Sequence, residues 1–155
     1  MSLRDVLFIA ALADYSNRRH NREEHIRRLQ DNVDRWNESL KKMEDAAYRA
    51  QQNIIKNQER LSKSSLFLTR LRSPETQDWL SRQQKNSMST KYEVRETALK
   101  KIRDHEAKEQ DLEDQIRKIE QWIYESRSKI RDIESKIDST RSKISDVEYK
   151  IRHMN

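Results

Sequence analysis

Glycine and cysteine are absent from this 155-residue chain, and proline occurs once, at Pro74. Lack of cysteine excludes disulfides and thiolate metal sites. Lack of glycine excludes the glycine-rich loops that cradle dinucleotides and phosphates, and it removes the residue best suited to tight turns. Hydrophobic residues are also scarce, at 33%, while 39% of the chain is charged. Typical soluble domains carry about 25% charged residues. A broad apolar core cannot be assembled from this material, but a rod held by one narrow seam can. The only long apolar run is Val6–Ala13, far short of the roughly 20 residues a membrane-spanning helix needs. Its Ala11-Leu12-Ala13 resembles a signal-peptide cleavage tripeptide, yet Arg4 is followed at once by Asp5 in what would be the basic leader. The run is therefore expected to be an apolar helix end that packs against something, in a cytoplasmic chain with no transmembrane segment.

A seven-residue period is present over most of the sequence. Ile116, Ile123, Ile130, Ile137, Ile144 and Ile151 occupy successive a positions, with Ile119, Ser126, Ile133, Thr140, Val147 and Met154 at d. Apolar residues every 3.5 positions on average, with charges between, specify a left-handed coiled coil. A second stripe occupies the first half. Its a positions run Leu12, Arg19, Ile26, Val33, Leu40, Ala47, Ile54, Leu61 and Leu68. Its d positions run from Phe8 through Tyr15, Arg22, Leu29 and Trp36 to Leu71.

Between the stripes stands Ser73-Pro74-Glu75, where a helix should end and a new one begin. Proline suits the first helical position, serine caps it, and an acid favours the first turn. A softer break follows at Asn86-Ser87-Met88-Ser89-Thr90, whose side chains compete for helical hydrogen bonds. The first stripe extends over 63 residue steps, Phe8 to Leu71, and the third segment extends over the same length, Lys91 to Met154. Matched spans suggest that the chain pairs with itself. The expected fold is all-α: a long antiparallel coiled-coil hairpin with a short helical tip. Residues 1–72 form one arm, 73–90 the tip and 91–155 the other arm. Each arm would be about 95 Å long. This alignment sets Trp36 near Ile123, Leu40 near Ile119, Ala47 near Leu112 and His105 near Ile54. Self-association of hairpins into a larger helical bundle stays open, as does a parallel oligomer.

Charge is uneven. Residues 46–101 hold twelve Lys or Arg and five Asp or Glu, while the rest of the chain is almost balanced. The stretch from Arg60 to Pro74 contains no acid but holds Arg60, Lys63, Arg70 and Arg72, and Phe67 lies off the stripe beside them. With Trp79, Lys85 and Lys91 they form a basic, aromatic candidate docking region. Phe8 and Ile9 mark a second candidate at the apolar N-terminal end. Positive potential with a few aromatic anchors suits an acidic protein partner. The alternative is nucleic acid along residues 46–101, although no long basic run and no familiar nucleic-acid module is present.

Catalytic chemistry finds no foothold. His20, His25, His105 and His153 are scattered, and none completes a helical Glu-x-x-His or His-Glu-x-x-His pattern. The chain is expected to be a non-enzymatic scaffold or adaptor without metal or cofactor. In length and helix layout the expected hairpin resembles the small coiled-coil stalk proteins of flagellar and type III export ATPases, which bind a ring of ATPase subunits. That outline is shared with phage and chromosome-associated coiled coils and rests on no motif, so it assigns no family.

Overall fold

The computed structural model describes residues 2–154. It contains three helices and, among the described residues, no strand: α1 spans Leu3–Leu71, α2 Pro74–Ser87 and α3 Tyr92–Met154. The long α1 packs against the long α3, so the chain is an all-α helical hairpin. Two compact units divide it, one built from residues 1–48 and 131–155 and the other from 49–130.

In the first unit, Val33, Ile144 and Val147 are buried, with Leu29, Trp36, Leu40 and Ile151 packed around them. These are a and d residues of both stripes, so the heptad pattern puts the right faces together. Arg141 and Glu44 form an ion pair across the two helices at 3.0 Å. Upstream, α1 continues without cover: every residue from Ser2 to Glu23 is exposed. Ser2 and Asp5 close the helix start reciprocally. The Ser2 hydroxyl accepts from the Asp5 amide at 3.2 Å, and the Asp5 carboxylate accepts from the Ser2 amide at 2.9 Å. This is the capping-box arrangement, with aspartate in place of the usual glutamate.

In the second unit, Ile54, Ile119 and Ile123 form the buried cluster, and Leu61 and Ile130 pack against it. Here the alignment predicted from matched spans is overturned. Ile123 belongs with Ile54 and Leu61, while Trp36 and Leu40 belong with Ile144 and Val147. The arms are displaced by about three heptads from the expected register. His105 accordingly sits against Trp79, ring centroids 6.1 Å apart, rather than beside Ile54.

Helix α2 explains the displacement. Arg72 reaches Glu109 on α3, and seven residues later Trp79 reaches His105. Advancing along α1 and then α2 still means retreating along α3, so α2 extends the first arm. The chain reverses only at Met88–Lys91. The Ser73-Pro74 break interrupts that arm without turning it back. Ser73 is extended at φ −63° and ψ 155°, as a residue before proline should be. Its Oγ accepts from the Thr76 amide at 3.3 Å, and the Thr76 hydroxyl donates to the Arg70 carbonyl at 2.9 Å. These bonds satisfy groups that the proline break would otherwise leave open.

Candidate docking surface

The corrected register decides which basic residues share a face. On α1, Arg60 and Lys63 line a groove of about 240 Å³ with Gln115, Lys118 and Trp122 of α3. Its floor is seam: Ser64 and Ile119 are both buried. The Arg60 guanidinium lies over the Trp122 ring, 5.4 Å from its centroid, a cation–π contact that holds both side chains in place. One turn on, Phe67 and Arg70 line a second groove of about 350 Å³ with Lys108, Asp111 and Leu112. Arg70 stands 5.9 Å from the Phe67 ring. Lys63 and Phe67 are four residues apart, so the two grooves adjoin along one flank of the coil.

The linings of the two grooves hold Arg60, Lys63, Arg70, Lys108 and Lys118 and one acid, Asp111. Two aromatic rings rise from that flank, Trp122 at 43% exposure and Phe67 at 53%. Long cationic side chains border apolar surface while their charges stay in water. The arrangement offers positive potential, two flat apolar contacts and shallow depth. It suits an elongated acidic macromolecule better than an enclosed small ligand.

Other candidates fall elsewhere. Arg72 turns away to ion pairs with Glu109, at 2.6 Å, and with Glu113. The hydrogen bond to Glu109, aided by the charges of both glutamates, pushes its guanidinium still further up from its ordinary range. Arg72 is acid-free in sequence but not in space. Trp79 is half-buried against His105, and Gln83 beside it on α2 is buried, so this ring serves mainly to hold α2 on α3. Lys85 on α2 and Lys91 at the reversal are exposed. Phe8 and Ile9 are exposed in the other unit, as part of the uncovered start of α1.

Lys108, Gln115 and Lys118 escape a reading of the sequence alone. They lie between seam positions of α3 and join the basic flank only when the register brings them opposite Phe67 and Lys63. Among the described residues no cluster of His, Asp or Glu could hold a metal ion, and no helix is long and apolar enough to cross a membrane. His20 and His25 are exposed, and His153 stacks on Tyr149 at 4.0 Å. No protein-family model matches this sequence, and no match was found among curated proteins or solved structures.

Proposed function

We propose that the chain is a scaffold or adaptor whose basic, aromatic flank in residues 49–130 docks an acidic segment of a protein partner. The observation that carries this reading is the run of two adjoining grooves, each with an exposed ring beside cations, whose linings hold only one acid, Asp111. The packed helices of residues 49–130 supply a preorganised surface, so little ordering entropy opposes docking. Charge complementarity brings the partner in, and Trp122 and Phe67 provide the apolar contacts that slow its departure.

A photo-activatable residue at Gln115 tests this. It should cross-link an acidic protein in cells, and Lys63→Glu with Lys118→Glu should abolish the adduct while leaving helicity unchanged. Capture that survives both charge reversals would refute the site. Duplex DNA is titrated alongside at about 50 and 200 mM salt. Binding that weakens by a factor near 10³ between them would reassign the flank to nucleic acid.

A further inference from the structure

The heptad of α1 keeps its phase upstream of its last covered seam residue. Above Ile26 the a and d positions continue through Arg22, Arg19, Tyr15, Leu12, Phe8 and Asp5, and all six are exposed. Charged residues at a and d weaken a seam unless they meet complementary groups, and then they specify register. In an antiparallel pair each a residue faces a d residue, as Val33 at a shares a cluster with Val147 at d in this hairpin.

Two copies of α1 aligned head to tail by that rule place Leu12 opposite Tyr15, Phe8 opposite Arg19 and Asp5 opposite Arg22. Two-fold symmetry makes each layer twice. The one seam carboxylate thus meets a seam guanidinium. Arg19 comes over a phenyl face, the kind of contact Arg60 makes with Trp122. Both bonds from Ser2 go to Oδ2 of Asp5, so Oδ1 takes no bond from Ser2. Among the described residues Arg22 makes no ion pair within the chain. Sliding by one heptad destroys the match. One direction sets Asp5 against Tyr15 and so parts it from Arg22. The other sets Leu12 against Arg22 and drives Asp5 toward Leu29, which is already packed in the hairpin core.

We propose that two copies of the chain associate through antiparallel pairing of residues 3–24 of α1, in the register that joins Asp5 to Arg22 of the second copy. This interface uses none of the groups on the basic flank, so either site stands without the other.

Sedimentation equilibrium on the full chain tests it. The wild type should show a reversible monomer–dimer equilibrium. Asp5→Arg and Arg22→Asp should each weaken the dimer about tenfold or more, by setting like charges face to face, and the double exchange should restore most of the affinity. Loss of the Ser2–Asp5 cap alone could not be repaired by Arg22→Asp, so restoration reports pairing. The cysteine-free chain permits a second measurement. Leu12→Cys mixed with Tyr15→Cys should form a crossed disulfide. Asp5→Cys alone should not link to itself, because the two Asp5 positions lie about 26 Å apart in this pairing and a disulfide needs Cα atoms within about 7 Å. A strictly monomeric wild type, a dimer indifferent to both single reversals, or efficient self-linking of Asp5→Cys would overturn the proposal.

Discussion

Replacing Ile54 and Ile123 by alanine, singly and together, tests the register on which the docking surface depends. Both are deeply buried, at 4% and 6% exposure, and both belong to one cluster. Each change removes three carbons, worth about 0.8 kcal/mol apiece, and leaves a partial cavity. Isoleucine-to-alanine changes in globular cores cost about 2–5 kcal/mol. A two-helix seam has solvent on both flanks and can relax toward a cavity, so the lower end applies, about 2–3 kcal/mol each. For a chain of this size that lowers Tm by about 5–10 °C. Because the residues share a cluster, the second truncation removes contacts already lost to the first. The double variant should therefore cost about 0.5–1.5 kcal/mol less than the sum of the singles. The matched control is Trp36→Ala with Ile123→Ala, a pair that equal stripe lengths would bring together. These should add to within about 0.5 kcal/mol, because Trp36 packs with Val33 and Ile144 instead. Urea denaturation followed by circular dichroism at 222 nm measures all five variants. Coupling between Trp36 and Ile123, with additivity between Ile54 and Ile123, would refute the register.

Further expectations concern the helix ends. Ser73→Ala removes the cap of α2 and should cost about 1 kcal/mol, whereas Ser73→Asp should cost much less; equal losses in urea would show that the Ser73–Thr76 bond contributes nothing. The hydrogen bonds from the Ser2 side chain and then its backbone hold the Asp5 carboxyl below its ordinary value of 3.8. Depression in the folded state means that the cap contributes fully above that value and is lost as pH falls through the lower folded one. Protection of the first-turn amides, relative to free-chain exchange at the same pH, should therefore hold from neutrality down to about pH 4 and fall only in stronger acid. Ser2→Ala removes the larger of the two bonds and should move the Asp5 titration up toward its ordinary value. An Asp5 carboxyl resonance in the wild type midway at or above 3.8 would contradict the cap.

Much of the fold was legible before any coordinates, because seam residues announce themselves by period. From Ile26 to Leu71 and from Arg95 to Met154, every a and d position is buried or half-buried. Register was not legible, for a reason inherent in the repeat. A slide of seven residues returns a to d and d to a, so the apolar pattern is almost indifferent among alignments. The limits of the stripes then decide the choice, and α2 misleads there. The face it turns to α3 is built from Thr76, Trp79, Leu80, Gln83 and Ser87, too polar to read as a stripe. Once α2 is counted in the first arm, Phe8 to Leu71 no longer pairs along its whole length, and the apolar start of α1 is left uncovered. The candidate docking residues were half legible for the same reason. Arg60, Lys63, Phe67 and Arg70 share a helix face by spacing alone. Lys108, Lys118 and Trp122 join them, and Arg72 leaves them, only through the tertiary alignment.

The layers that bind α2 to α3 differ in kind from those that bind α1 to it. Gln83, His105, Thr76 and a half-buried Trp79 stand where Ile54, Ile119 and Ile123 stand further along. Polar layers give a seam specificity at the expense of adhesion, while isoleucine layers give adhesion. Residues 74–105 therefore form a latch on a much stronger zipper. Local opening there is expected to cost less than parting the isoleucine layers, with the Ser73-Pro74 break as its natural boundary. A partner drawn to Arg70 and Phe67 meets the boundary between the part of the molecule that holds and the part that gives way.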